Sequence, residues 1–191
     1  MSLERLIEFA QIIGTLKETK RFGWISQASI ANPESVADHS FRCAVLAMCL
    51  GAFENADTDK LVKMLLLHDI HEAVTGNYDS SAKKEKGLRK VQMQQRTAIR
   101  DILSLLVPDL KAEYLSIWEE FEDKKTPEAI LANDIDKIEM IFQALKYEKD
   151  GHDPDKLDSF WTSVENEIRT PNVRKLFTLL KDRRTLDRQA V

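Results

Sequence analysis

The adjacent pair His68-Asp69 stands inside Val62-Lys63-Met64-Leu65-Leu66-Leu67-His68-Asp69-Ile70-His71-Glu72-Ala73-Val74, a stretch whose other residues are almost all apolar. Burying an imidazole beside a carboxylate is costly unless a third group binds both, and a divalent metal ion suits that pair. If the stretch is one continuous helix, His68 and Glu72 are four residues apart and Asp69 and Glu72 three, so one face carries a ligand pair with an acid beside it. A lone buried histidine is ordinarily a hydrogen-bonded core residue. The acidic neighbours turn the reading toward a metal and a general acid or base.

A metal needs further ligands. Of the four histidines, His39, His68, His71 and His152, only His39 lies in another apolar helix with an acidic neighbour, Asp38. His39 is the expected second imidazole. A fourth ligand is expected from the segment Ala129 to Ile141, where Asp134 and Asp136 are embedded among aliphatic residues. Two residues apart on a helix differ by about 200° in direction, so only one of these acids can face the site, and spacing does not choose between them.

The elements that must position these residues read as helices. Asn32-Pro33-Glu34, Thr126-Pro127-Glu128, Asp153-Pro154-Asp155 and Thr170-Pro171-Asn172 each place a proline after a residue able to cap a helix or start a turn. Proline at the first helical position sacrifices an N–H that had no partner there, so these points read as helix starts. Apolar residues recur at three and four, as in Leu3, Leu6, Ile7, Ala10, Ile13 and in Ile130, Ile138, Ile141, Phe142, Leu145. Helices are predicted near 3–18, 34–54, 58–75, 87–106, 109–123, 127–149, 155–168 and 171–184, and no strand-like alternation appears. The fold class is therefore all-α, a single domain over residues 1–191 with about eight helices.

Composition limits the function. Six glycines, five prolines and no internal repeat argue against a second domain or a solenoid. The N-terminal segment reads as an amphipathic helix and not a signal peptide, and no apolar run is expected to cross a bilayer. Cys43 and Cys49 read as reduced core thiols in a cytoplasmic protein. A net charge of -4 and a pI near 5.7 give no reason to expect a nucleic-acid polymer or an anionic membrane as partner.

In order along the chain, several blocks resemble the HD-domain metal-dependent phosphohydrolases, and within them the 5′-deoxynucleotidase branch. They are Arg21-Phe22-Gly23-Trp24, Pro33-Glu34-Ser35-Val36-Ala37-Asp38-His39-Ser40, His68-Asp69-Ile70-His71-Glu72, Trp118-Glu119-Glu120-Phe121-Glu122 and Asp136-Lys137-Ile138-Glu139-Met140-Ile141, with Gln143-Ala144 and Tyr147-Glu148 beyond. The resemblance implies a bundle of HD-domain type and a single divalent ion held by His39, His68, Asp69 and Asp136. Asp134 then becomes a surface acid or one standing behind the ligands. Two imidazoles and two carboxylates suit Mn, Co, Mg, Fe or Zn without selecting among them.

The reaction so implied is hydrolysis of a nucleoside 5′-monophosphate, with metal-activated water as nucleophile and Glu72 as general acid or base. Arg21 would bind phosphate oxygens with its planar guanidinium. Trp24 reads either as a neighbour of the sugar or base or as a core plug. Asn77 stands where the family usually has aspartate, and it keeps hydrogen-bonding capacity while losing charge; Asp79 lies close enough in the same loop to substitute. A homodimer is implied by the same resemblance.

Residues 83 to 100 carry Lys83, Lys84, Lys86, Arg89, Lys90, Arg96 and Arg100, which read as a solvated helix face, with attraction of an anionic substrate as the sharper alternative. Met93 and Met140 read as core filler. Two other functions compete with nucleotidase activity. One is hydrolysis of a signalling nucleotide such as an alarmone, disfavoured because Glu72 is followed by Ala73. The other is a scaffold that binds metal or nucleotide without turnover, for which Asn77 is the main support.

Overall fold

A computed structural model describes residues 2–79 and 84–189. Among them are ten α-helices and no strand: α1 (Leu3–Gly14), α2 (Phe22–Ala28), α3 (Val36–Phe53), α4 (Thr58–Leu67), α5 (Glu72–Thr75), α6 (Leu88–Ser104), α7 (Pro108–Asp123), α8 (Pro127–Lys149), α9 (Asp158–Glu167) and α10 (Pro171–Gln189). The all-α expectation holds. Short 3₁₀ turns at Thr15–Lys17 and Pro154–Leu157 join neighbours.

Helix α8 is the axis of the bundle. It is buried on most of its circumference, through Leu131, Ile135, Ile138, Ile141 and Ala144 among others, and α3, α4, α7, α9 and α10 all pack against it. An element surrounded in this way has no polar face to give to solvent, so the acids it carries must be answered inside the protein. Helices α3 and α4 pack most extensively against each other. They approach at Gly51, where an added Cβ would meet Thr58 Oγ1 at 2.8 Å, so a hydrogen at that position is what the crossing requires.

Capping sets where the elements begin. Thr126 accepts from the Ala129 N–H ahead of Pro127, as the sequence suggests. At Asn32-Pro33-Glu34 the expectation fails, because α3 starts later, at a reciprocal capping box between Ser35 and Asp38. The box occupies the Asp38 carboxylate, so this acid caps its own helix. A side-chain cap of this kind contributes about 1 kcal/mol.

The helix predicted over 58–75 breaks in two. Helix α4 ends at Leu67, His68 through His71 turn, and α5 begins at Glu72. Trp118 on α7 donates its indole N–H to the His68 carbonyl at 3.1 Å, which satisfies one group freed by the break. The short helix α2 lies between the helices predicted near 3–18 and 34–54, where none is expected.

Other expectations are corrected by burial. Cys43 is buried but Cys49 is exposed. Met93 is exposed while Met140 packs against the core. Helix α3 is long and apolar enough to cross a membrane by length and composition, contrary to the sequence reading, yet only 39% of it is buried within the protein. Its outward face carries Phe41, Val45 and Met48, all exposed.

Candidate metal centre

Four side chains from three parts of the chain converge beside α8. His39 sits in the first turns of α3, His68 caps the end of α4, Asp69 follows in the turn, and Asp136 lies midway along α8. His39 Nε2 is 3.1 Å from Asp136 Oδ1 and 4.0 Å from Asp69 Oδ2, while His68 Nε2 is 3.1 Å from Asp69 Oδ2 and 4.0 Å from Asp136 Oδ1. The ligand atoms of His39, His68 and Asp136 all lie within 4.8 Å of one another, and the Asp69 carboxylate approaches them from the His68 side.

The hydrogen bonds of the rings decide which nitrogen faces inward. His68 Nδ1 is 2.8 Å from the Leu65 carbonyl, which can only accept, so Nδ1 carries the proton and Nε2 of the neutral ring carries the lone pair. That Nε2 is buried without a hydrogen-bond partner; its close approach to Asp69 lacks hydrogen-bond alignment. His39 Nδ1 is 2.5 Å from Glu139 Oε2, which likewise leaves Nε2 for the group of ligands. A buried nitrogen lone pair facing two carboxylates fits a divalent ion.

Charge in the centre follows the same logic. Burial opposes ionisation of Asp69 and Asp136, but the histidines outweigh it, together with Arg21 for Asp69 and Lys137 for Asp136, and both carboxyls are held well below the usual range. Burial likewise opposes charge on His39 and His68, and the surrounding carboxylates overcome it and raise both. A metal ion bound through the two Nε2 atoms would compete with protons for them. His39, Cys43 and Glu139 also cluster. Burial pushes the Cys43 thiol up to about 12, so it stays protonated and is a poor ligand, and Glu139 is already engaged elsewhere.

The centre opens into a cleft of about 310 Å³ lined by Arg21, Trp24, Asp69, Glu72, Asn77, Asp79, Asp136, Lys137, Met140 and Phe160, among others. Arg21, at the start of α2, lies 3.4 Å from both Asp69 and Glu34. Glu72 is buried, and the Asn77 amide donates to its carboxylate at 2.8 Å. On its other side Asn77 accepts from the Phe22 N–H at 2.8 Å, tying the Glu72 loop to the first turn of α2. Ser26 donates to Asp79. Trp24 is 1% exposed, donates its indole N–H to Glu34 and stacks on Phe160 with centroids 4.2 Å apart. It is a core residue that also forms a wall of the cleft.

Residues 13–176 match the family model described as HD domain. The chain belongs to the HD domain family. It is 36% identical over 195 residues to "5'-deoxynucleotidase HDDC2" of Dictyostelium discoideum, covering 95% of this chain and 100% of that one. With the protein of the same name from Homo sapiens it shares 33% identity over 94% of this chain and 86% of the other. A solved structure, the PH0347 protein from Pyrococcus horikoshii, superposes on 92% of this chain and 96% of its own with a TM-score of 0.76 and 29% identity.

Within this HD domain the fold brings together all nine residues singled out in the sequence, but by a different route for two of them. His68 and Glu72 do not share a continuous helix; a turn separates them, and Glu72 reaches the cleft as the first residue of α5. Asp134 is not a surface acid. It is buried and accepts from the backbone N–H groups of Arg169 and Thr170, at 3.0 and 2.6 Å, where α10 begins.

Three residues were missed. Lys137 lies 3.6 Å from Asp136 and 3.4 Å from Glu167 and lines the cleft. Glu34 holds both Arg21 and Trp24. Glu139 supports His39. All three stand in the blocks that carry the family resemblance, so position in those blocks was the available signal.

The basic run is a solvated face where it can be followed. Arg96 and Arg100 pair with Glu119, and Lys86 lies over the Tyr78 ring at 3.9 Å. Lys83 lies outside the described residues.

Proposed function

We propose that this HD domain hydrolyses the phosphate monoester of deoxynucleoside 5′-monophosphates, releasing nucleoside and inorganic phosphate with one divalent metal ion as cofactor. The observation that carries the proposal is that His39, His68 and Asp136 bring ligand atoms within 4.8 Å of one another, with Asp69 against His68, at the head of a cleft that also contains Arg21 and Glu72. The relatives named 5'-deoxynucleotidase support the same reaction and do not favour an alarmone-type hydrolase or an inert scaffold.

His39, His68, Asp69 and Asp136 would hold the ion, which when bound would supply a Lewis acid and a water of lowered pKa. Arg21, already oriented by Glu34 and Asp69, offers guanidinium N–H groups to the phosphate oxygens. Lys137 adds a second cation on the α8 side. The Glu72 carboxylate, aimed by the Asn77 amide, takes a proton as the water oxygen bonds to phosphorus, and returns it to the nucleoside 5′-oxygen as the phosphorus–oxygen bond breaks. Trp24 and Phe160 form the apolar wall against which a sugar or base would rest.

The test is phosphate release from a panel of nucleoside and deoxynucleoside 5′-monophosphates, using chelated protein to which Mn, Co, Mg, Fe or Zn is returned. Activity is expected to return with metal, to favour the deoxy forms and to be lost in Asp69→Ala. Equal release by Asp69→Ala, or none with any metal, would overturn the proposal. We also propose that the chain is a homodimer, and the exposed Phe41, Val45 and Met48 on α3 support this, since contiguous apolar side chains on a helix face are a common mark of association.

A further inference from the structure

We infer that Glu139 is a positioning residue for the metal centre, held by Arg42, which Gln143 steadies in turn, so that it locks His39 with Nε2 toward the ion. The inference rests on the reading of His39 as a metal ligand. Two helices each contribute a pair of residues one turn apart, His39 and Arg42 from α3 and Asp136 and Glu139 from α8. On one turn the facing pair is a ligand and a ligand. One turn on, it is Arg42 against Glu139.

The Glu139 carboxylate is completely buried and every contact to it is a donor. Oε2 lies 2.5 Å from His39 Nδ1, Oε1 accepts from Arg42 Nε at 2.8 Å and also from Arg42 Nη2, and the same Nη2 donates to Gln143 Oε1 at 2.7 Å. A buried ion pair gives little net stability against a well-packed apolar alternative, because both charges lose their water. Its value here is directional. A carboxylate on Nδ1 keeps the proton on that nitrogen, leaves the lone pair on Nε2 and makes the ring a more basic ligand. The second imidazole is held differently, by the neutral Leu65 carbonyl on His68 Nδ1. The two histidines therefore present unequal donors, and His39 is the one whose orientation depends, through Glu139, on a cation one turn further along its own helix.

The competing explanation is that Arg42–Glu139 only pins α3 to α8. Cobalt binding separates the two, because it reports on ligands through both affinity and visible absorption bands and needs no substrate. Chelated wild-type protein, Glu139→Gln, Arg42→Lys and Asp134→Asn would be titrated with Co²⁺ in competition with a chromogenic chelator, with folding checked by circular dichroism.

Glu139→Gln is expected to weaken Co²⁺ binding by about 10- to 100-fold and to shift the absorption bands, the range seen when outer partners of metal ligands are removed. Arg42→Lys keeps the charge but loses the fork, and is expected to move both readouts the same way by less. Asp134→Asn, a buried change on the same helix away from the centre, is expected to lose stability with unaltered Co²⁺ binding. An unchanged dissociation constant and spectrum in Glu139→Gln would overturn the inference; if that variant fails to fold, the same result in Arg42→Lys overturns it. Wild-type protein that binds no Co²⁺ would instead overturn the metal reading on which the inference rests.

Discussion

Asn77 uses both ends of its amide, accepting from the Phe22 N–H and donating to Glu72. Aspartate at this position could keep the first bond but not the second, because an ionised carboxylate has no proton to donate. In Asn77→Asp two carboxylates would stand at hydrogen-bond distance, and like charges so placed raise the pKa of one of them. Glu72 must be ionised to take a proton from water, so the variant should lose that form at a higher pH than wild type. The acid limb of kcat/KM against pH is expected to move upward, with activity recovered on the alkaline side. Superimposable profiles for the two proteins would show that Asn77 does not orient Glu72.

At the scale of elements, Asp134 illustrates how a buried acid can serve architecture. Its carboxylate accepts from the N–H groups of Arg169 and Thr170 ahead of Pro171, joining the start of α10 to the central helix. Asp134→Ala strands those donors, and a buried unsatisfied donor costs about 1–3 kcal/mol. A lower denaturation midpoint is expected in urea, with Co²⁺ affinity unaltered. Loss of metal binding together with stability would mean that α10 and the centre are coupled. The break after Leu67 matters at this scale too. It turns His68 and Asp69 toward α8 and starts α5 afresh, so that Glu72 enters the cleft from the side where Asn77 can reach it.

Across the whole molecule, α3 has two faces with different tasks. Inward it carries His39 and Arg42 to α8; outward it shows Phe41, Val45 and Met48. In a homodimer that uses this face, a charge at its centre would be buried without a partner, which is strongly unfavourable. Light scattering is expected to give twice 21.9 kDa for wild type and a single-chain mass for Phe41→Asp. A single-chain mass for wild type at working concentrations would end the dimer proposal, and a dimeric Phe41→Asp would move the interface elsewhere.

Much of this was legible in the chain. Helical periodicity and proline positions predicted an all-α fold, because both are local: side chains three and four apart share a face whatever the rest of the molecule does. The burial of a His-Asp pair among aliphatics was enough to call for a metal, and the block resemblance selected Asp136. What local pattern did not contain was the end of α4 at Leu67, since His68 to Glu72 carries no proline or glycine and its break is supported by Trp118 from another helix. The capping role of Asp134, the exposure of Cys49 and Met93, and the support of His39 by Glu139 and Arg42 likewise depend on partners about 35 to 100 residues away or on which face meets solvent. The sequence by itself determined the helical class, the candidate ligand types and the chemistry they suit. Only the tertiary structure decided which nitrogen of each imidazole faces inward and which acid serves as cap or brace, because those depend on hydrogen bonds made across the bundle.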